Sequence, residues 1–311
     1  MELSVVVGVY NEEENIRPLV EAIEQAVEGY DYEIVFVDDG STDKTRQEIK
    51  AFNHKRIRLV EFAKNYGQSS AMAAGIEYAQ GEYIVTLDGD LQNDPSDIPM
   101  MLQIAREGDW DLVAGIRKNR QDGMFLRKVP SKIANAMIRR LTEVKMKDYG
   151  CTLKVFKSHI AKSIGLYGEL HRFIPVLVNL EGGTITQVDV KHHARIHGTS
   201  KYGIGRTLRV VSDLMFMLFL KKYVQKPMHL FGGGGFVLFF IGVIINLFLL
   251  FQKMMGHDIW GKPMLFLGTL LILAGIQLVT IGIIAELLMR TYYESQSKKP
   301  YNVRRIWQGE N

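Results

Sequence analysis

The 311-residue chain has a single cysteine, Cys151, so no internal disulfide can form and nothing calls for an oxidising compartment. Two phosphate-binding signatures are also missing. No G-x-x-x-x-G-K-[ST] occurs, and no G-x-G-x-x-G follows a strand pattern; the Gly232–Gly235 run lies inside a long apolar stretch, where it cannot cradle phosphate. Kinase, P-loop and dinucleotide-binding readings lose their basis. The first residues lack a positive n-region: Glu2 precedes an apolar run of eight, Leu3–Tyr10, which reads as a buried strand and not as a leader. A hydrophobic fraction of 47% with 23% charged residues excludes a disordered or collagenous chain. The net charge of +4 is unevenly spread: residues 221–311 hold ten Lys and Arg against four acids, a balance of +6, which leaves −2 for residues 1–220. Basicity confined to the last third, beside long hydrophobic runs, gives no reason to expect nucleic acid as a partner.

What is present first is an alternation of strand and helix patterns. Leu3–Tyr10, Tyr32–Val37, Arg58–Phe62, Tyr83–Leu87 and Asp111–Ile116 read as strands. Ile16–Val27, Asp43–Phe52, Ser69–Ala79 and Ile98–Glu107 read as helices, with Ser41 and Thr42 as N-cap candidates for the second. Such βα order predicts an α/β fold with a mainly parallel sheet. Ligands of open parallel sheets bind beyond the carboxyl ends of the strands. Asn11-Glu12, Asp38-Asp39-Gly40-Ser41 and Asp88-Gly89-Asp90 all fall there.

The last third reads differently. Met228–Gln252 and Pro263–Ala285 are 25 and 23 residues without a formal charge. At about 1.5 Å per residue each exceeds the roughly 30 Å hydrocarbon core of a bilayer. The short loop 253–262 makes them a helical hairpin with both ends on one side. Eight basic residues flank the outer ends (Lys221, Lys222, Lys226, Arg290, Lys298, Lys299, Arg304 and Arg305) against two lysines in the loop. That asymmetry predicts a cytoplasmic N-terminal domain and a cytoplasmic C-terminus. Pro130–Leu141 and Ile204–Leu220 carry apolar stripes beside basic residues, as interfacial amphipathic helices do. The expected layout is a catalytic domain over 1–203 with an interfacial helix at about 130–141, a juxtamembrane helix over 204–226, the hairpin within 227–290 and a basic tail over 291–311. Gly268, Gly275 and Gly282 recur every seven residues on one face of the second span, a packing seam within the hairpin or between protomers. Asn246 and Gln277 lie at different depths and are not expected to pair.

Asp88-Gly89-Asp90 follows an apolar strand directly, with Gln92 just after. Two carboxylates at a strand mouth suit Mg²⁺ or Mn²⁺, hard ions that take few protein ligands and fill their shell with phosphate and water. An isolated D-x-D is equally a solvated turn or a helix cap. Its position, with Asp38-Asp39 at what reads as a neighbouring strand end, favours the metal.

The runs VVGVYNEEENI, FVDDGSTDKT and NYGQSSAMAAGIEYAQGEYIVTLDGDLQNDP resemble glycosyltransferase family 2 with the GT-A fold. More narrowly they resemble the polyprenyl-phosphate glycosyltransferases, the group of dolichol-phosphate mannose synthase, and the two-span hairpin resembles its bacterial branch. AGIRKNRQDGMFLRKVPS, DYGCTLKVF and ARIHGTSKYG extend the likeness to residue 203. The resemblance implies a GT-A sheet and an inverting transfer from a nucleotide sugar to polyprenyl phosphate. Tyr10, Asn11 and Glu12, with Gly8, Val37 and Asp39, match the part that binds the nucleoside. Asp88, Gly89, Asp90 and Gln92 match the metal and diphosphate site, Asp90 and Gln92 being the direct metal ligands. Arg117, Arg127 and Ser131 match the group that receives the lipid phosphate, and Arg195 and Lys201 match basic residues that close over the donor diphosphate. Asp88, Asp90, Arg117, Arg127 and Ser131 thus form the implied catalytic set. The family usually has Pro where Gly8 stands and often Ala where Gly89 stands.

The chemistry suits these assignments. An acceptor phosphate is itself anionic and needs no strong general base to attack an anomeric carbon; the site instead needs cations to bring two anions together, and guanidinium forks match phosphate oxygens. A metal cluster at His192, His193 and His197 is disfavoured, since no cysteine or acid there has ligand spacing. His171-Arg172 is a candidate contact to sugar or acceptor, and Asp148 is either a vestigial base or a turn residue. The hairpin favours a UDP-sugar, UDP-glucose first, over GDP-mannose, and bacterial relatives imply a homo-oligomer, a tetramer. A processive polysaccharide synthase would carry Q-x-x-R-W, yet no arginine precedes Trp110, Trp260 or Trp307. A non-catalytic membrane scaffold would not need an intact D-x-D with both arginines.

Overall fold

The computed structural model describes residues 1–117, 144, 146–166, 168, 170–194, 223 and 226–295. Two compact units divide the chain, Met1–Met215 and Phe216–Asn311. The expected interfacial helix at 130–141 lies outside the described residues, as do 204–226 apart from Tyr223 and Lys226, and the tail after Ser295.

In the first unit β1 (Leu3–Val9), α1 (Ile16–Ala26), β2 (Tyr32–Asp38), α2 (Thr45–Ala51), β3 (Ile57–Glu61), α3 (Gln68–Tyr78), β4 (Tyr83–Asp88), α4 (Ile98–Glu107) and β5 (Leu112–Arg117) alternate as the periodicity predicts. Then follow β6 (Lys154–Lys157), α5 (Ser158–Ser163), α6 (Ile174–Leu180) and β7 (Ile185–Val190). The seven strands lie in the order β3-β2-β1-β4-β6-β5-β7, and only β6 is antiparallel to its neighbours. This is the mixed, mainly parallel GT-A-like sheet. The Val/Ile runs of β1 and β2 are buried because helices cover both faces of the sheet. α1 contributes Ile16, Leu19, Val20 and Ile23, one stripe at helical spacing. Each such fully buried side chain contributes roughly 1.5–3 kcal/mol of transfer free energy.

Two details differ from the sequence reading. β1 stands between β2 and β4, so the strands ending at Asp38 and Asp88 are not neighbours. α2 begins at Thr45, and Ser41 and Thr42 do not cap it. Both are taken up by the preceding loop, while Asp43 Oδ1 closes the turn by accepting from Thr45 N at 3.0 Å and Thr45 Oγ1 at 2.6 Å.

The second unit contains α7 (Pro227–Met254) and α8 (Pro263–Ser295), 28 and 33 residues long. Each has a stretch long and apolar enough to cross a membrane, mostly unburied, with Phe236, Val237, Phe240 and Ile244 exposed on α7. The glycine seam lies within the hairpin. A Cβ added at Gly235 would stand 2.7 Å from the Gly275 carbonyl oxygen, and one at Gly242 only 2.6 Å from that of Gly268. Asn246 sits against Gly268, nine residues from Gln277, and its Oδ1 is buried without a hydrogen-bond partner. The two amides therefore do not pair.

Candidate active site

The strand order reverses between β1 and β4, since β2 and β3 add on one side of β1 and β4 on the other. A crevice opens at such a switch point, beyond the carboxyl ends. The register places Gly8 beside both Val37 and Asp88, and Val9 beside Asp38. Gly8, Val37 and Asp88 therefore meet at one end of the sheet. Val37 is wholly buried, its side chain under α3 at Gly75.

On the β2 side, two loops are joined by reciprocal bonds. Asn11 N donates to Ser41 Oγ at 2.9 Å, and Thr42 N donates back to Asn11 Oδ1 at 2.8 Å. Glu12 N donates to Thr45 Oγ1 at 2.9 Å, and Lys44 N to Glu13 Oε2 at 2.8 Å. Asn11 has φ of 53°, a left-handed conformation that asparagine tolerates. Glu12 accepts from Asn15 Nδ2 at 2.6 Å, and Tyr10 precedes the turn, half-buried. Asp38 is buried and salt-bridged to Arg46 Nε at 2.5 Å. Asp39 accepts from the Tyr66 and Gly67 amides at 2.6 and 2.9 Å. Burial, joined by the Asp38 charge, outweighs those amides and raises its pKa.

On the β4 side, Asp88 and Asp90 flank Gly89. Asp88 Oδ1 accepts from Gln68 Nε2 at 2.7 Å, and Oδ2 accepts from Thr152 Oγ1 at 2.5 Å. Burial, with the charge of Asp90, pushes Asp88 up to about 6. Asp90 is 7% exposed and accepts from Gln92 N at 3.2 Å. Between them Leu91 takes a positive φ of 58°, a strain of about 1–3 kcal/mol of the kind that collects at functional turns. The chain after β7 is fastened to this turn: His193 N donates to the Gln92 carbonyl at 2.8 Å, and Asn93 bridges His192. His192 and His193 thus sit just past a strand end, where His193 Nε2 pairs with Asp94 Oδ2 at 3.0 Å; His197 lies outside the described residues. Arg195 and Lys201, further along, lie outside the described residues.

At the end of β5, Arg117 grips Asp148 through Nε at 2.7 Å and Nη2 at 2.9 Å. Burial raises the Asp148 pKa, but the paired guanidinium and the Gly150 amide bring it below the ordinary value. Asp148 is therefore the arginine's partner, held in a turn. Arg127 and Ser131 lie outside the described residues. His171, the first of the two candidate sugar contacts, shares a 2.8 Å hydrogen bond between Nδ1 and Ser69 Oγ, one residue from Gln68. Burial and the charges of Arg172 and Lys154 lower its pKa to about 3. Lys154 is buried at the start of β6, donates to the Cys151 carbonyl, and is lowered by burial. Gln68, Thr152 and Lys154 were not legible as site residues, since only the register of β6 brings the last two to Asp88.

The family model described as glycosyl transferase family 2 matches residues 4–165, over half of the chain. The chain belongs to glycosyltransferase family 2. This family 2 enzyme is 46% identical to dodecaprenyl-phosphate galacturonate synthase of Rhizobium johnstonii, over 99% of the chain and 93% of the relative. It is 35% identical to undecaprenyl-phosphate 4-deoxy-4-formamido-L-arabinose transferase of Shewanella sediminis, with the same coverage. Among solved structures, glucosyl-3-phosphoglycerate synthase of Mycobacterium tuberculosis with Mn²⁺ and UDP-glucose superposes with a TM-score of 0.56, over 71% of this chain and 79% of that one. At 17% identity it shows the shared fold alone.

Family 2 glycosyltransferases commonly use a divalent cation, and the residues here fit one. Asp88, half-buried, and Asp90, buried, flank a single residue, and desolvation first and the Asp90 charge second raise the Asp88 pKa. Asp88 has both oxygens engaged, and Asp90 and Gln92 are the residues that the resemblance implies would hold the ion. A single protein carboxylate suits Mg²⁺ or Mn²⁺ when phosphate and water complete the shell.

Proposed function

We propose that this enzyme transfers a sugar, with inversion, from a UDP-sugar to polyprenyl phosphate at the cytoplasmic face of a membrane. The observation that carries the reading is the site's composition: a carboxylate pair, Asp88 half-buried and Asp90 buried, at the switch point and an arginine fork two strands away, in a chain whose second unit holds two apolar helices. Near-complete coverage of relatives named for polyprenyl-phosphate products supports it. When bound, a divalent cation offsets charge developing on the leaving diphosphate.

The chain's own residues supply the rest. The joined loops at Asn11 and Ser41 hold the nucleoside, with Tyr10, Glu12 and Asp39 around it. Asp90 and Gln92 orient the diphosphate end, and Arg195 and Lys201 bind its oxygens. Arg117, with Arg127 and Ser131, receives the acceptor phosphate and offsets its repulsion from the donor. The acceptor oxygen then attacks the anomeric carbon as the bond to the diphosphate breaks.

For the sugar, the 46% relative supports galacturonate ahead of the glucose favoured by the hairpin, with the formamido-arabinose next. Both termini are cytoplasmic in this reading, from the basic flanks, and the assembly is a homotetramer. The test is a panel of radiolabelled UDP- and GDP-sugars with undecaprenyl or dolichyl phosphate. A UDP-dependent lipid product is expected. Exclusive use of a GDP-sugar refutes the donor, and no lipid product from any pair refutes the function. Protease accessibility in oriented vesicles reads the topology, which a C-terminus on the opposite face overturns.

A further inference from the structure

Because β6 runs against its neighbours, the chain entering it passes between the carboxyl ends of β4 and β5. Lys154 pairs with Thr86 on one side and Ala114 on the other. Counting back along the antiparallel register brings Thr152 level with Asp88 and Cys151 level with Arg117. The contacts agree. Thr152 Oγ1 donates to Asp88 Oδ2, and the Thr152 carbonyl accepts from Thr86 Oγ1 at 2.7 Å. Gly115 N donates to the Leu153 carbonyl at 3.1 Å.

Four residues before Thr152, the Asp148 carboxylate takes the Arg117 fork and also accepts from Gly150 N at 2.9 Å. A Cβ at Gly150 would stand 2.9 Å from Arg117 Nη2, so the missing side chain is what lets the guanidinium lie against the main chain. Tyr149 and Cys151 are buried between, and Lys154 Nζ donates to the Cys151 carbonyl. The segment is thus fixed in the middle, and its two ends reach into the two halves of the site.

We propose that Asp148–Thr152 is a two-ended positioning element, in which Thr152 sets the Asp88 carboxylate on the donor side and Asp148 sets the Arg117 guanidinium on the acceptor side. Neither side chain touches substrate; each acts through the group it holds. Asp88 is also held by Gln68, so without the Thr152 hydroxyl it can swing about one remaining bond and crowd Asp90. Asp148 without its charge cannot hold both nitrogens of the fork. Residues four apart therefore govern different substrates. The inference rests on the donor and acceptor assignments made under the proposed function.

The test uses the full-length protein in detergent with three variants, Thr152→Val, Thr152→Ser and Asp148→Asn. Calorimetry reads binding of UDP with Mn²⁺, and steady-state kinetics read KM for donor and lipid phosphate. Thr152→Val should weaken Mn²⁺–UDP binding about tenfold, the usual scale for losing a hydrogen bond to a charged group, and leave the lipid-phosphate KM within about twofold. Thr152→Ser, which keeps the hydroxyl, should restore binding. Asp148→Asn should raise the lipid-phosphate KM about tenfold and leave Mn²⁺–UDP binding unchanged. The proposal is overturned if both variants move the same parameter, if serine fails to rescue, or if all losses simply follow a lowered melting temperature. A wild-type protein that binds Mn²⁺–UDP but makes no lipid product refutes the functional reading instead; the Thr152 half then stands or falls on calorimetry.

Discussion

Gly89 separates the half-buried Asp88 from the buried Asp90, and it packs against β1. A Cβ there would stand 2.7 Å from Val9 Cγ1 and 3.3 Å from the Gly8 carbonyl oxygen. Carbon atoms in contact settle near 3.5–4.0 Å, so Gly89→Ala must open about 1 Å of space. Val9 is 2% exposed, and its branched side chain is stiff about χ1, so the gap comes from moving the turn or the strand. Overpacking of this size costs roughly 1–3 kcal/mol. A shift of about 1 Å at the proposed diphosphate site can also slow chemistry by about a hundredfold. Gly89→Ala should therefore lower both Tm and kcat, measured by thermal unfolding and lipid-product formation in detergent. Val9→Ala removes the obstructing methyl groups. The double variant, compared with Val9→Ala alone, should recover rate and stability with a coupling of about 1–2 kcal/mol. Wild-type Tm and rate in Gly89→Ala, or no rescue by Val9→Ala, would refute a turn wedged against Val9.

Three further outcomes are expected. His171 titrates at about 3 in the fold against 6.5 ordinarily. The unfolded chain takes up a proton near pH 6.5 that the folded chain refuses, so stability is lost as pH falls from about 6.5 towards 3, by about 5 kcal/mol over the whole window. His171→Gln should flatten the slope of Tm between pH 7 and 5, and an unchanged slope counts against the assignment. Asp90→Ala should abolish transfer and Mn²⁺–UDP binding while membrane insertion and Tm hold; full activity would remove Asp90 from the site. Gly275→Leu places a side chain against the Gly235 carbonyl, where even a Cβ stands at 2.7 Å, and should make the α7–α8 pair protease-sensitive in micelles, whereas wild-type resistance would relocate the seam.

The first half of the fold was legible because its strands are short apolar runs and its helices carry one-sided stripes. Ile98–Glu107 was placed to the residue, and the other elements to within two. Local pattern does not carry pairing order, so β1 was not seen to separate β2 from β4. It does not carry competition between partners either: Ser41 and Thr42 have the chemistry of caps, but Asn11 claims both. β6 is four residues with lysine at both ends, too short for a periodicity, and its direction decides that Thr152 meets Asp88. For the site, the acids at strand ends were readable from position alone. Arg117 was readable by resemblance, but its bond to Asp148 spans 31 residues and needed the fold.

The bonds between the loops at Asn11 and Ser41 bear on how this enzyme could be re-engineered or could have diversified. Each loop supplies the other with donors and acceptors: Asn11 and Glu13 serve the amides of Thr42 and Lys44, while Ser41 and Thr45 serve those of Asn11 and Glu12. A chimaera importing one loop from a relative inherits half of a matched set and leaves polar groups unpaired at the crevice. On the proposed reading, in which these loops hold the nucleoside, the unit of exchange for nucleotide preference is the pair of loops, grafted together, although helix α1 and strand β2 separate them in the chain.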